Sequence, residues 1–339
     1  MRRFHLFHGR WTRLSVLSVA AGAMATVASM AAPSQAGTIT FGSGGNTFNM
    51  EFVTIGNPNN TADTTGAPNP AGRVTYTYDI GKFEVSEDMI TKYNANFGTA
   101  NSLVITKDTR GTAKPATRVS WNEAARFVNW LNTSTGGFAA YKFTTSGVKD
   151  NIAVWTAADT LDYDATNPYR SKRATYVLPS YNEWYKAAYY NPTNSTYYDF
   201  PNGSNTAPTA VAGGTTAGTA VYNQYGPADV NLAGGLSPYG VMGLGGNVYE
   251  WEESSFDLTN SSGSSSRGYR GGNWGYYVTF DLSSSSRNNV SPTYEDWAVG
   301  FRVASLSSSA PPAVPEPSMM VIGTLFGLGG FMANRRMKK

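Results

Sequence analysis

The chain has 339 residues, a formal net charge of +3, no cysteine, and two histidines, His5 and His8. No thiol occurs anywhere and no histidine lies beyond position 8. Those absences remove disulfides, thiol redox chemistry, Ser-His-Asp catalysis and the usual zinc sites from the functions open to the rest of the chain.

Residues 1–36 begin with Arg2, Arg3, Arg10 and Arg13, continue through the mostly apolar run Leu14–Ala32, and end in Ser34-Gln35-Ala36. Basic, apolar and small-x-Ala, in that order, is the layout of a secretory signal peptide, so Gly37 is the expected mature N-terminus. Residues 37–75 alternate apolar and polar positions around Phe41, Phe48, Met50, Phe52, Val53 and Ile55, with the polar loop Asn57–Gly72 breaking them. The pattern predicts early strands, followed by a strand pair at Val74–Ile80 and Lys82–Val85.

Three helix starts follow. Ser86 precedes Glu87 and Asp88, acids that suit the positive end of a helix. Ser120-Trp121-Asn122-Glu123 and Ser180-Tyr181-Asn182-Glu183 both fit the capping box, in which Ser and Glu satisfy each other's free N–H groups. Trp121, Ala124, Ala125, Val128 and Leu131, then Tyr181, Trp184, Tyr185 and Ala188, recur at helical spacing and predict core-facing stripes. From Asn191 onward periodicity gives way to Gly, Ser, Thr, Asn and Pro between short aromatic clusters, which predicts loop-rich structure tied to a sheet. Gly245-Gly246-Asn247 predicts a turn, and Val248–Trp251 reads as a half-buried strand. Arg270-Gly271-Gly272 reads as a tight entry into a core strand with Trp274 packed inside. A last strand is expected at Val299–Ser305, before a Ser/Ala/Pro linker. No internal repeat is visible, and the fold class expected is a single α+β domain.

The stretch RGGNWGYYVTFDLSSSSRNN (270–289) invites a functional reading. Trp274, Tyr276, Tyr277, Ser283–Ser286, Asn288, Asn289 and, further on, Tyr294 offer rigid aromatic area beside adaptable hydrogen bonding, as in antibody paratopes.

At the far end an apolar run of about 15 residues, Met319–Ala333, follows Pro315-Glu316-Pro317 and precedes Arg335, Arg336, Lys338 and Lys339. A bilayer core takes roughly 20 helical residues, so the run reads as a short transmembrane segment whose basic end stays cytoplasmic. Eight of the 26 basic residues and one of the 23 acids lie in the two terminal segments, leaving a net charge near −4 between them. That balance gives no nucleic-acid footprint. About 275 residues remain, enough for a core without disulfides.

Two resemblances extend these readings. Pro315, Glu316 and Pro317, with the apolar run and basic end, resemble the PEP-CTERM signal of Gram-negative bacteria, which implies export and an exosortase as processing partner. IGKFEVSEDMITKY (80–93), RVSWNEAARFVNWLN (118–132), YVLPSYNEWYKAAYY (176–190), SPYGVMGLGGNVYEW (237–251), RGGNW (270–274) and GFRVA (300–304) together resemble the formylglycine-generating-enzyme (sulfatase-modifying factor) domain. That family elaborates the C-type-lectin fold, and the likeness covers roughly residues 45–305. It implies copper held by two cysteines just beyond the RGG turn, or in a related branch iron held by histidines. The chain has neither, and a soft Cu(I) ion needs thiolate-like ligands, so a non-enzyme is expected. The likeness also implies a structural calcium at Gly243, Gly246, Val248 and Glu250, with Gly243 lacking the family's side-chain oxygen. Asn223 matches a ligand of a second family site. Calcium prefers six to eight oxygens.

The expected organisation is signal peptide 1–36, sulfatase-modifying-factor-like domain 37–305, linker 306–314 and PEP-CTERM segment 315–339. The expected function is a non-catalytic ligand-binding or structural domain in an exported protein of the cell envelope, outer surface or extracellular matrix of a Gram-negative bacterium. Its candidate partners are exopolysaccharide or a surface protein. The alternative is an oxidase or modifying enzyme of the family drawing on Asp281, Glu295, Asp296 and Arg302 for acid–base work.

Overall fold

The structure is a computed structural model that describes residues 37–306. In chain order its strands are β1 (Thr38–Phe41), β2 (Phe48–Ile55), β3 (Tyr78–Gly81), β4 (Tyr176–Val177), β5 (Tyr190–Asn191), β6 (Thr196–Tyr197), β7 (Thr209–Ala210), β8 (Thr219–Ala220), β9 (Tyr249–Ser255), β10 (Arg267–Arg270), β11 (Asn288–Val290), β12 (Val299–Gly300) and β13 (Ala304–Ser305). The helices are α1 (Glu87–Tyr93), α2 (Trp121–Ser134) and α3 (Tyr181–Tyr189). Two sheets organise the molecule, ordered β1-β2-β3-β13-β4 and β11-β10-β9-β12, with β5-β6 and β7-β8 as small separate pairs. Few helices, short strands and long loops give the loop-rich α+β architecture that the sequence predicts.

Each helix begins where its capping residue stands. Ser86 accepts a hydrogen bond from Met89 N–H, and both capping boxes close in each direction. Trp121, Ala124, Ala125, Val128 and Leu131 are fully buried, as are Trp184, Tyr185 and Ala188, while Tyr181 is only partly covered. On β2 the alternation resolves as predicted: Phe48, Met50 and Phe52 face the core and their neighbours face solvent. Phe48 stacks on Phe127 of α2 with centroids 6.2 Å apart, and Phe127 meets Phe301 edge-on at 5.7 Å.

Three expectations are corrected. Of the pair Val74–Ile80 and Lys82–Val85, only Tyr78–Gly81 is a strand. The carbonyls of Gly81 and Lys82 accept from Arg302 at 2.8 and 3.4 Å and Met242 N–H also takes Lys82 O, while only isolated backbone bonds, such as Lys82 N–H to Glu51 O and Val85 N–H to Phe301 O, continue beyond the strand. The run Val299–Ser305 is not one strand. Val299–Gly300 pairs parallel with β9, whereas Ala304–Ser305 pairs antiparallel with β3 and β4, so the segment crosses from one sheet to the other. β9 is not half-buried but buried at every position from Tyr249 to Ser255.

Among the described residues no helix is long and apolar enough to cross a membrane. Residues 1–36, most of the linker, and Pro315, Glu316 and Pro317 lie outside the described residues.

Candidate functional site

β9 is the strand from which the site is built. A fully buried strand cannot carry free charge, yet this one places Glu250, Glu252 and Glu253 in the interior. Each is answered by arginine. Arg302 donates from Nε to Glu250 Oε2 at 2.6 Å, and Trp184 Nε1 adds a bond to the same oxygen at 2.7 Å. Arg287 reaches Glu252 at 2.8 Å and Arg270 forms an ion pair with it at 3.2 Å. Arg170 binds Glu253 and also Glu183 of α3. Burial alone would raise Glu183, but the Arg170 charge and hydrogen bonds more than offset it and hold the carboxyl at about 2.

The turn before β9 has the predicted geometry. Gly246 has φ +89° and Asn247 φ +58°. A Cβ at Gly246 would come within 2.4 Å of Val221 O, so any side chain there is excluded. Asn247 donates to Glu84 Oε1 at 2.9 Å and accepts from Ala228 N–H at 2.8 Å.

The residues around this turn do not fit the calcium set that the resemblance implies. Gly243 offers no side-chain oxygen, and a Cβ there would lie 2.6 Å from Glu84 Oε1, so the Glu84 carboxylate fills that space. The oxygens of Glu250 are engaged by Arg302 and Trp184, leaving only the carbonyls of Gly246 and Val248. Asn223 is exposed on another turn, its N–H bonded to Tyr276 O. Glu84 itself is buried, with Oε2 lacking a partner. Burial pushes its carboxyl up to about 8; Arg302 pulls it down and Glu250 pushes it further up. Among the described residues no group of three or more His, Cys, Asp or Glu is placed around a metal position.

Arg270-Gly271-Gly272 is the exit from a core strand rather than the entry. β10 ends at Arg270, and Gly271 and Gly272 turn the chain with φ +101° and +77°. The Arg270 guanidinium is buried beside the rings of Trp184, Tyr185 and Tyr189, with centroids 5.0 to 5.7 Å away. It donates to the carbonyls of Ala67, Ser284 and Ser286. That contact corrects the reading of Ser283–Ser286: three of the four serines are buried as a strap over Arg270, and only Ser285 is exposed.

Beyond the turn the chain comes to the surface as an aromatic face. Tyr277 is 79% exposed and Phe280 62%, with Tyr276, Val278, Tyr294 and Trp297 also open to solvent. Tyr276 packs against Tyr249, which meets Tyr269 edge-on at 5.2 Å. Asn223 N–H and Gln224 N–H bond to the carbonyls of Tyr276 and Trp274, bringing the exposed Tyr225 alongside. Asn288 and Asn289 pair through β11 with Tyr269 and Gly268, and their amides have no side-chain partner among the described residues.

Of the predicted contact residues, Tyr276, Tyr277, Asn289 and Tyr294 are exposed and Asn288 is half-buried, whereas Trp274 joins Ser283, Ser284 and Ser286 in the interior. Trp274 is buried, 4.9 Å from Trp297 and covered by Arg110 at 4.7 Å, so it supports the face and does not present itself. Tyr225, Phe280 and Trp297 belong to the face but escape the sequence reading.

Each of the alternative acid–base residues already has a partner. Arg302 is in the core on Glu250, and Glu295 pairs with Lys149 at 2.8 Å. Asp296 accepts from Tyr294 and Ala298, and Asp281 from Ser286. The segment Trp274–Leu282 offers no sulfur or imidazole, so its donor set does not fit a copper or iron centre.

No curated protein matches the chain. Among solved structures it is similar to Treponema denticola variable protein 1, at 20% identity over 79% of this chain and 98% of that one, with a TM-score of 0.52. It is similar to CarF at 18% identity over 76% and 98%, with a TM-score of 0.53. At those identities the likeness speaks for the fold, which agrees with the architecture above. The sulfatase-modifying factor enzyme 1-like domain matches residues 30–306, and the chain belongs to that family.

Proposed function

We propose that this chain is a non-catalytic recognition protein that holds a macromolecular ligand on the aromatic face around Tyr276 and Tyr277. The observation that carries the reading is the face itself. Where the resemblance puts metal ligands, this sequence presents exposed aromatic rings over a rigid, arginine-locked strand. Tyr and Trp supply large contact area at small entropic cost and are enriched at interfaces. Phe280 and Val278 among the tyrosines suit a protein surface. The free amides of Asn288 and Asn289 beside Tyr294 favour the second reading, an exopolysaccharide. The signal-like start and the Pro315-Glu316-Pro317 tail support export, with an exosortase acting on the tail and the domain displayed at the envelope or in the matrix. No calcium is required at Glu250 in this proposal.

The test is binding of the full chain to a Gram-negative cell-surface fraction, untreated, protease-treated or periodate-treated. Saturable, protease-sensitive binding lost in Tyr276→Ala/Tyr277→Ala is the expected result. Periodate-sensitive binding that is also lost in the same double variant would assign the face to a polysaccharide. Binding that is absent, or unchanged in the double variant, would overturn the proposal.

A further inference from the structure

The other end of β9 opens on a second feature that the aromatic face does not use. A groove of about 320 Å³ is lined by Arg73, Thr75, Tyr76, Tyr181, Asn182 and Ser254, among others. It is near the lower end of the range for small-ligand sites, about 300–1,000 Å³. Tyr249, at the aromatic face, and Ser254, at the groove, are five residues apart on one strand, roughly 16 Å at the strand rise.

The groove's polar groups divide into those already satisfied and those still open. Its floor is closed: every nitrogen of the Arg170 guanidinium is bound to Glu253, Glu183 or Leu178 O. At the start of α3 two of the first three N–H groups are taken, Glu183 N–H by Ser180 Oγ and Tyr181 N–H by Ser254 Oγ. The rim is open. Arg73 is exposed and has no hydrogen-bond or ion-pair partner among the described residues. Asn182 uses its Oδ1 for Gly72 N–H at 2.7 Å, which leaves its Nδ2 free to donate. Tyr76 is held upright by its hydroxyl, which donates to Glu183 Oε1 at 2.6 Å, and its ring is 43% exposed.

Charge selects the ligand class. The buried Arg170–Glu183–Glu253 cluster leaves one negative charge beneath the groove and the unpaired Arg73 puts one positive charge on its rim, so the charges around the groove sum to zero and favour an ion of neither sign. What it offers is open donors above half-exposed tyrosine rings. That combination matches a sugar ring, whose hydroxyls accept hydrogen bonds and whose C–H face lies on aromatic carbon. We infer that this groove binds a neutral pyranose unit, with the sugar ring against Tyr76 and its hydroxyls accepting from Arg73 and Asn182. The inference does not rest on the aromatic face.

The experiment is calorimetric titration of the full chain with neutral oligosaccharides (cellohexaose, mannohexaose, galactohexaose) and with polygalacturonate. Binding of at least one neutral oligosaccharide is expected, weakened at least about tenfold in Thr75→Trp, which fills the groove from an exposed position, and in Arg73→Ala. Tyr277→Ala leaves that binding unchanged. Absence of neutral-sugar binding, a preference for polygalacturonate, or binding that survives Thr75→Trp would each overturn the inference. Loss in Tyr277→Ala alone would move the sugar to the aromatic face and overturn it equally. Failure at the groove leaves the surface-fraction result at Tyr276 and Tyr277 unaffected, so the two readings fail separately.

Discussion

At its Tyr249 end β9 stops beneath exposed rings, whereas at its Ser254 end it runs into a polar groove. The aromatic end is held by edge-on contacts among Tyr249, Tyr269 and Tyr276, with Glu250 and Arg302 sealed below. The groove end is held by one arginine shared between two carboxylates, Glu183 and Glu253. One buried strand thus supports two surfaces of opposite chemistry.

The largest expected effect separates the two ends by charge bookkeeping. Arg170→Met strands two buried carboxylates and Arg302→Met strands one. Breaking a buried pair costs about 3–5 kcal/mol, so urea denaturation should find Arg170→Met at or above that range and more damaging than Arg302→Met. Equal losses would show that the groove end is not the more heavily ionic.

Acidity should distinguish them next. Glu183, held at about 2 against an ordinary 4.5, contributes stability that is present above pH 4.5 and lost as pH falls toward 2. Glu84, raised to about 8, behaves oppositely: its contribution is full below pH 4.5 and is lost as pH rises through 8. Each limb approaches a slope of at most about 1.4 kcal/mol per pH unit. The stability gap between wild type and Glu183→Gln should narrow on acidification. Glu84→Gln should gain on wild type as pH rises from 5 to 9. Denaturation midpoints across pH check both, and parallel curves would remove the distinction.

At the surface, Tyr277→Ala should weaken binding to the surface fraction by about tenfold or more, as expected of an interface anchor, and shift Tm by less than about 1 °C because the ring is 79% exposed. The smallest effect concerns calcium. Because Arg302 and Trp184 already engage Glu250, millimolar calcium or chelator should move Tm by less than about 1 °C. A clear calcium-dependent rise would mean that Glu250 exchanges Arg302 for the ion.

Much of this was legible in the residues. The helix caps at Ser86, Ser120 and Ser180 are local devices, and a local device needs only its own few residues to be read. The β2 alternation and the Gly246-Asn247 turn were legible for the same reason. What escaped depends on contacts between distant segments. Arg302 reaches across from the last strands to take the carbonyls of Gly81 and Lys82, and the predicted strand at Lys82–Val85 does not form. The serine run 283–286 looks like a solvated contact loop until Arg270 is found beneath it. The groove has no sequence signature at all, since Arg73, Tyr181 and Ser254 come from three separate parts of the chain.

The most direct test of the recognition reading is photo-crosslinking from a benzoylphenylalanine placed at position 277, with the same group at position 138, exposed and outside both surfaces, as control. The proposal predicts a discrete adduct with one surface macromolecule from position 277 and none from position 138. The same adducts from both positions, or none from position 277, would contradict it.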